Sequence, residues 1–314
     1  MRLGLSGDMA SACELLCAED ADSLEDSLED VADAEFPDDS GESIAGFIEG
    51  ESEYSPGCDY PDRFRSRLLD PFARAESIAW ILKVHSYYRF CPLTAYLAVN
   101  YMDRFLSSHC LPRQQANEWA LQLLAVTCLS LAAKMEETLV PSLLDLQVEE
   151  AKYIFRPRTI LRMELLVLTA LNWRLRSVTP FTFIDFFAYK VDPYGKYMKY
   201  LVSRAAQIIL ATIHADIDFL DHCPSSMAAA AIICAADETP ALKFIDPAIA
   251  STWCIGLTEE GIRSCYQLMQ QIAICSSSIQ RRHPVVLSQI RVTTTVNLGS
   301  SPPSKRRKLS NGGG

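Results

Sequence analysis

Cysteine and histidine are two residue types of this chain that could bind a metal ion or act as nucleophiles. The sequence has 11 cysteines and 5 histidines, and no two cysteines form a C-x-x-C pair. His109-Cys110 and His222-Cys223 are adjacent pairs, which lack the spacing of zinc ligands. The cysteines are scattered among apolar residues, as reduced thiols are in cytosolic or nuclear proteins. The sequence therefore predicts no metal site and no cofactor.

Catalytic motifs are also missing from the sequence. The chain has no G-x-G-x-x-G loop, no Walker loop, no H-R-D or D-F-G kinase motif, no H-E-x-x-H helix and no G-x-S-x-G elbow. No motif in the sequence therefore favours a particular enzymatic reaction.

A short binding motif stands near the N-terminus. Leu15, Cys17 and Glu19 form the pattern L-x-C-x-E. In an extended segment residues i, i+2 and i+4 point to one side, so two side chains could enter small apolar pockets while the carboxylate accepts hydrogen bonds at the rim. The acids that follow would strengthen the attraction to a basic groove. The alternative is an acidic tail that contains a stray cysteine.

The C-terminal segment contains the basic residues Lys305, Arg306, Arg307 and Lys308. Such a tetrad is typical of a nuclear import signal, and it also fits a solvated charge run. The nucleus is the expected compartment, with shuttling to the cytoplasm allowed. Ser55 and Ser301 each precede a proline and are candidate phosphorylation sites. A phosphate at Ser301 would add about −1.5 to −2 charges beside the tetrad.

Charge divides the chain into three parts. Residues 1–62 carry a net charge of −18, residues 63–280 of +1 and residues 281–314 of +7. Domains that bind nucleic acid usually have a basic face, so no nucleic-acid partner is predicted for the near-neutral middle. The longest clean apolar run, residues 227–236, is too short to span a bilayer, so no membrane partner is predicted.

Both ends are predicted to be disordered. Residues 1–62 are acidic and contain several glycines and prolines, and residues 281–314 are of low complexity. Neither segment is expected to bury enough apolar surface to offset its chain entropy.

Between the tails, apolar residues recur at helical spacing and almost no segment alternates with period two. The first set of helices is predicted at residues 63–88 with a break at Pro71, 93–106, 113–135, a short fourth helix opened by Pro141, and 158–171. The second set is predicted at residues 181–188, 195–215, 225–236, 247–254 and 258–276. Residues 131–138 resemble residues 232–239 at the end of the third helix in each set, which indicates a repeated five-helix unit. We predict an all-α chain with domains 63–176 and 177–280.

Several of these segments, taken in series, resemble the cyclin box. The residues that carry the resemblance are Arg74, 80–85 (W-I-L-K-V-H), 97–106 (L-A-V-N-Y-M-D-R-F-L), 131–137 (L-A-A-K-M-E-E) and 160–164 (I-L-R-M-E). The second set of helices resembles the C-terminal cyclin fold. Residues 80–85 and 100–108, together with the L-x-C-x-E motif, resemble a plant D-type cyclin. The resemblance covers residues 60–280 and the motifs in both tails.

The resemblance implies two tandem five-helix cyclin-type folds and the function of a regulatory subunit that is not itself an enzyme. Such a subunit binds and activates a cyclin-dependent kinase, whose Lys–Glu ion pair and activation segment must be positioned for phosphoryl transfer. Through L-x-C-x-E it would direct the kinase to a retinoblastoma-related pocket protein and promote the G1/S transition. Kinase inhibitor proteins are further expected partners.

The same resemblance implies roles for individual residues. Lys134 and Glu164 match the family's pair that holds the kinase loop before helix αC, where an ammonium donates to backbone carbonyls and a carboxylate accepts from amides. Met135, Leu168 and Trp173 match neighbouring apolar contacts with the kinase. Residues of a helical core would have the same sequence pattern.

Two further matches concern the first helix of the box. Arg74 and Asp103 match an internal ion pair, in which loss of one partner strands the other charge. Many cyclins also carry a patch that docks substrates with an R-x-L motif. Ala73 and Ser77 stand at its Met and Leu positions, and Glu76 stands where Ile is usual. The shortened side chains predict weak docking.

A transcription adaptor with the same double helical fold, which would bind DNA or a polymerase, is the alternative function. It predicts a basic face, and the middle of the chain is close to neutral. An enzyme of unrelated type is a third hypothesis, and no motif favours it. Pocket-protein binding that depends on Cys17 and Glu19 would favour the regulatory subunit over the adaptor.

Overall fold

The computed structural model describes residues 40–109, 118–147, 152–215, 217–242 and 245–282. These ranges contain helices, turns and loops and no strand, so the all-α prediction is confirmed. The α-helices are α1 (Ser40–Gly50), α2 (Tyr60–Arg65), α3 (Pro71–Tyr88), α4 (Pro92–Ser108), α5 (Glu118–Glu136), α6 (Pro157–Ala170), α7 (Phe181–Val191), α8 (Met198–Ala215), α9 (Pro224–Asp237), α10 (Pro247–Ala250) and α11 (Glu259–Arg282). Short 3-10 helices span Glu51–Tyr54 and Ile217–Asp221.

The chain divides into two units, Met1–Ile274 and Cys275–Gly314. The first unit contains both sets of helices. Of the second unit the structure describes residues 275–282, which continue α11. Within the described ranges, no helix is both long and apolar enough to cross a membrane.

Helix α5 is the centre of the first set of helices. It is apolar nearly all round, as a helix surrounded by partners must be, and Ala125, Val126 and Leu129 are fully buried. Helices α3, α4 and α6 pack around it. Proline opens α3, α4 and α6 at positions where its missing N–H is not needed by the helix. The C-terminal end of α5 and the middle of α6 thereby come together.

Helix α9 occupies the equivalent central place in the second set. Its run of four alanines, residues 228–231, is fully buried. These small side chains let α7 and α8 approach closely, and α11 contributes Ile262, Cys265 and Met269 to the same core.

The predicted disorder up to residue 62 is wrong for residues 40–62. Helix α1 places Ile44 and Ile48 in the core of the second set of helices. The Glu51 side chain is only 4% exposed, and its carboxylate accepts hydrogen bonds from the amide and the hydroxyl of Ser225, each at 2.8 Å. A prediction from the acidic composition overlooks the two isoleucines, which are one helical turn apart and lie on one face of α1.

The fourth helix predicted after Pro141 is not formed by residues 141–147, which make turns. Side chains there bind backbone groups, which competes with helix formation. The Ser142 hydroxyl accepts from the Asp145 amide at 3.2 Å, and the Gln147 amide nitrogen donates to the carbonyls of Leu143 and Phe155 at 2.8 and 3.0 Å. The helix predicted at residues 247–254 is shorter in the structure, where α10 ends at Ala250.

Candidate functional site

An ion pair joins α5 to α6. The Nζ of Lys134, in the last turn of α5, lies 2.6 Å from Oε1 of Glu164. The hydroxyl of Ser130, one turn earlier on α5, donates to the same oxygen at 2.7 Å. The Glu164 side chain is 8% exposed and that of Lys134 is 41% exposed. A buried carboxylate therefore fixes an ammonium group that reaches the surface with donors to spare.

The register of α6 explains why Glu164 is buried. Ile160, Met163 and Val167 form the stripe that faces the core, and each is less than 10% exposed. Glu164 belongs to this stripe by helical spacing, since residues three and four apart share a face. A buried carboxylate needs partners, and α5 supplies two of them.

Exposed apolar side chains occur on the same two helices and just beyond α6. We call this set the apolar face; its members are Met135, Leu161, Leu165, Leu166 and Trp173, with exposures of 36%, 46%, 58%, 59% and 67%. Contiguous exposed apolar patches are typical of binding surfaces. Sequence reasoning missed the three leucines, because an apolar run in a helix does not reveal which side chains face outward.

Leu168 and Trp173, two of the predicted kinase contacts, differ in how far they are exposed. Leu168 is half-buried and packs against the first core, so much of it serves packing. Trp173 is exposed and lies just after α6 with φ at 60°, a left-handed conformation that few bulky residues adopt. Its amide donates to the carbonyl of Leu168 at 2.9 Å. That hydrogen bond fixes the backbone of Trp173, which carries the exposed indole.

Arg74 of α3 and Asp103 of α4 form a buried bidentate pair. Nε and Nη2 of Arg74 lie 2.8 and 2.7 Å from the two carboxylate oxygens. The hydroxyl of Tyr60 donates to Asp103 at 2.9 Å. Burial raises the pKa of Tyr60, and the charge of Asp103 raises it further. The structure thus places Arg74 and Asp103 together inside the fold, and the structural role that the resemblance implies for them stays a prediction.

The predicted weak docking patch forms a shallow concavity of about 180 Å³. Ala73, Glu76, Ser77 and Trp80 line it together with Leu121. The Ser77 hydroxyl donates to the carbonyl of Ala73 at 3.0 Å and so turns back onto its own helix. Weak docking of R-x-L substrates stays a prediction.

Several predicted sites lie outside the described residues. These are Leu15, Cys17, Glu19, Ser301, Lys305, Arg306, Arg307 and Lys308. Ser55 is described; it is half-buried, and its hydroxyl donates to the carbonyl of Glu51 at 3.3 Å. Among the described residues, no group of three or more His, Cys, Asp or Glu side chains could hold a metal ion.

Comparison with known proteins matches two family profiles to the chain. Cyclin, N-terminal domain, covers residues 42–176, and Cyclin, C-terminal domain, covers residues 178–292. The first match begins within α1, in line with the folded segment found there.

The chain is also similar to cyclins of two plants and to one solved structure. Cyclin-D2-1 of Oryza sativa subsp. japonica is 59% identical over 289 residues, which are 88% of this chain and 88% of that protein. Cyclin-D1-1 of Arabidopsis thaliana is 50% identical over 324 residues, with 99% and 93% covered. A viral cyclin from herpesvirus saimiri is 14% identical, with a TM-score of 0.55 and 66% and 86% covered. That structure shows similarity of fold alone.

Two family profiles together cover most of the chain, and two plant D-type cyclins are 59% and 50% identical to it over most of its length. These matches establish the family. Cyclins are regulatory proteins of the cell cycle and not catalysts, and this chain has that regulatory role. It belongs to the cyclin family, among the plant D-type cyclins.

Proposed function

We propose that this cyclin binds and activates a cyclin-dependent kinase through Lys134, Glu164 and the apolar face. One observation carries the proposal: a surface ammonium group is held by a buried carboxylate on the same two helices that expose four large apolar side chains, with the exposed Trp173 just beyond α6. Stable interfaces combine an apolar centre with a few polar anchors. Lys134 would donate to backbone carbonyls of a kinase loop, and the leucines and Trp173 would bury apolar surface.

Activation would follow from where the kinase is held. Phosphoryl transfer by a protein kinase requires its Lys–Glu ion pair, which depends on the position of helix αC. A ligand shifts such an equilibrium by its differential affinity for the two states. The cyclin would bind the active arrangement of αC more tightly and would contribute no catalytic group of its own.

The first test replaces both members of the ion pair, Lys134→Ala/Glu164→Ala. A matched control is Arg204→Ala/Glu238→Ala, which removes a surface ion pair between α8 and the residue that follows α9, with N–O distances of 2.7 Å. We expect the first variant to bind the kinase about 30-fold or more weakly, as loss of an interface hot spot does. Calorimetry with purified plant kinase subunits measures the affinity, and a phosphorylation assay measures activation.

Circular dichroism and thermal unfolding of both variants show whether each keeps its fold. Equal kinase affinity of a folded Lys134→Ala/Glu164→Ala variant and the wild type would contradict the proposed site. No binding of the wild type to any kinase of the set would remove the activator proposal and favour the transcription adaptor.

We further propose that Leu15, Cys17 and Glu19 direct the kinase to a retinoblastoma-related pocket protein, so that the complex promotes the G1/S transition. Twenty residues separate Glu19 from the start of α1. A coil of that length has a mean reach of about 25 Å. A tether of this kind raises the local concentration of substrate into the mM range.

The variant Cys17→Ala/Glu19→Ala tests this motif, and Cys13→Ala/Glu14→Ala is a control with the same changes in the same segment. We expect phosphorylation of the pocket protein to fall about tenfold or more with the first variant, because the tether is lost. Phosphorylation of an unrelated peptide should stay unchanged with both. Equal pocket-protein phosphorylation by the two variants would refute the role of the motif.

Nuclear import through the basic tetrad, residues 305–308, and recognition by kinase inhibitor proteins complete the proposal. The support for import is the charge of residues 281–314, which carry seven bases and no acid. Replacement of the tetrad by alanine should shift a fluorescent fusion of the full chain to the cytoplasm. Nuclear fluorescence that survives this change would contradict the assignment. Inhibitor binding is tested by pull-down with the kinase complex.

A further inference from the structure

A second concave surface lies on the C-terminal cyclin fold. The end of α7, the loop after it and the segment around α10 enclose a groove of about 580 Å³, which is in the size range of ligand pockets. Val191, Leu242, Ile249 and Trp253 give it an apolar floor. The Trp253 ring packs on Phe187 of α7 with centroids 5.5 Å apart, whereas Ile249 is 56% exposed. The floor is therefore firm and incompletely covered by the described residues.

The loop that forms one wall of the groove is held by its own hydrogen bonds. The Asp192 carboxylate accepts from the amide of Tyr197, and the Asp192 carbonyl accepts from the amide of Gly195 at 3.1 Å. Gly195 has φ at 70°, which a glycine adopts at little cost. Tyr194 stands at the rim and is 96% exposed. The wall is thus preformed.

Two lysines make the rim of this groove cationic. Nζ of Lys190 lies 4.9 Å from the ring centroid of Phe186, and Nζ of Lys196 lies 5.2 Å from that of Tyr197. Both lysines line the groove and are exposed. Within the described part of the chain neither forms an ion pair with a carboxylate. An apolar floor with a cationic rim fits an acidic segment that contains an apolar side chain.

Helix α1 begins beside this groove. The Cys254 thiol, next to Trp253 in the chain, lies 3.7 Å from the carbonyl oxygen of Gly41, the second residue of α1. Burial raises the pKa of the Cys254 thiol, and the nearby charge of Lys190 acts against that rise. Lys190 and Trp253 therefore lie close to the point where the chain enters α1.

The segment that enters α1 has the composition that the groove fits. Residues 33–39 read D-A-E-F-P-D-D, with four acids around one phenylalanine and one proline. Residues 1–39 as a whole contain 13 acids and one base. Proline favours an extended backbone at the residue before it. Attachment to α1 would keep this segment at a high effective concentration near the groove.

We propose that residues 33–39 of the same chain dock in this groove, with Phe36 on the floor beside Trp253 and Ile249 and with the acids against Lys190 and Lys196. The segment becomes an anchored strap that continues α1 across the C-terminal fold. Docking shortens the free tether between Glu19 and the folded protein from 20 to 13 residues. The strap thereby sets how far the L-x-C-x-E motif reaches from the C-terminal fold.

Zero-length carbodiimide coupling of the full-length wild type tests the strap, because it joins a lysine to a carboxylate only where the two are in contact. Peptide mass spectrometry should find Lys190 or Lys196 joined to Asp33, Glu35, Asp38 or Asp39. Lys199 of α8, exposed and three residues beyond Lys196, is the matched control and should not couple to the tail. The coupling should be lost in about 1 M salt, where the Debye length is only about 3 Å.

Two variants separate the apolar anchor from charge alone. Phe36→Ser leaves the charge unchanged and should reduce the coupling yield by about tenfold, since it removes the buried ring. Val31→Ser, in the same tail and outside the strap, should leave the yield unchanged. Equal yields for the two variants would overturn the docking of Phe36.

Other occupants of the groove give different results. A mixture of isotopically light and heavy chains identifies coupling between molecules, and a predominance of such links would mean that a second copy supplies the acidic segment. Coupling of the tail to Lys199 as often as to Lys190 and Lys196, or to none of them, would also overturn the strap. The assay uses neither kinase nor pocket protein, so its outcome is independent of the proposed function.

Discussion

The pair of Arg74 and Asp103 links α3 to α4 inside the N-terminal fold. The two residues are 6% and 2% exposed, and Tyr60 donates a further hydrogen bond to the carboxylate. Burial opposes the charge of the guanidinium, and the adjacent carboxylate outweighs it, so that the pKa of Arg74 is raised. Neither charge could recover its hydration if the other were removed, which makes the pair one energetic unit.

We predict that Arg74→Ala lowers the free energy of unfolding by about 3–5 kcal/mol, because it leaves a buried carboxylate unpaired. The matched control is Arg174→Ala, which removes an ion pair with Glu53 in which both side chains are more than half exposed. That change should cost about 1 kcal/mol or less. Urea denaturation followed by circular dichroism measures both variants. Equal costs would mean that burial adds nothing to the first pair.

The same scale shows what sequence could say about the candidate site. Lys134 and Glu164 are predicted because they match the pair that the cyclin family uses to hold a kinase loop. Ser130, the second partner of Glu164, had no such signal, since a serine within a buried helix usually bonds to its own backbone. The exposure of Leu165 and Leu166 could not be predicted from the sequence either, because it depends on which elements cover α6.

Helix α1 shows how an element can be missed when composition dominates the prediction. Its residues are acidic and glycine-rich, yet Ile44 and Ile48 are each 8% exposed in the second core. Close contact is possible because position 256 is a glycine at φ 96°. A Cβ there would lie 2.8 Å from Cγ2 of Ile48. The docking of α1 thus depends on a residue more than 200 positions away.

Gly256→Ala should therefore detach α1 and lower stability by about 1–3 kcal/mol beyond its backbone strain, since the clash displaces Ile48. Gly195→Ala is the control: its φ is 70° and no neighbouring atom lies within 4 Å of the added Cβ. It should show the left-handed strain alone, about 1–2 kcal/mol. Thermal unfolding gives the stabilities, and hydrogen exchange of residues 41–50 reports α1. Equal exchange of α1 in the two variants would contradict the prediction.

At the scale of the whole molecule, the segment from α1 to α2 connects the two cyclin folds. Ile44, Ile48 and Glu51 attach it to the C-terminal fold, whereas Tyr60 belongs to the core of the N-terminal fold. Between them, the carbonyl of Tyr54 accepts a hydrogen bond from Asn100 of α4 at 3.0 Å. The segment that composition assigned to a tail is part of the folded protein.

Two truncations test this reassignment. Removal of residues 1–58 takes away Ile44, Ile48 and Glu51, and each isoleucine contributes about 1.5–3 kcal/mol through burial. We expect this variant to melt well below the full chain. Removal of residues 1–39 spares all three and takes away only the proposed strap, so it should cost no more than about 1–2 kcal/mol. Differential scanning calorimetry measures both, and equal melting temperatures would show that α1 adds no stability.

The sequence alone determined that the chain is helical, that two similar sets of helices follow each other, and that the first set carries the residues of a cyclin box. These properties are local, because the hydrogen bonds of a helix join residues four apart and the apolar residues of its buried face recur with the same spacing in the sequence. The start of helices α3, α4 and α6 at prolines is local in the same sense.

Only the tertiary structure decided which acidic residues fold and which apolar residues remain exposed. Glu51 is buried because Ser225, 174 positions later, supplies its hydrogen bonds. Leu165 is exposed because no described element covers the outer side of α6, and Glu164 is buried because α5 lies against the other side. Burial depends on partners distant in sequence, so neither composition nor periodicity could reveal it.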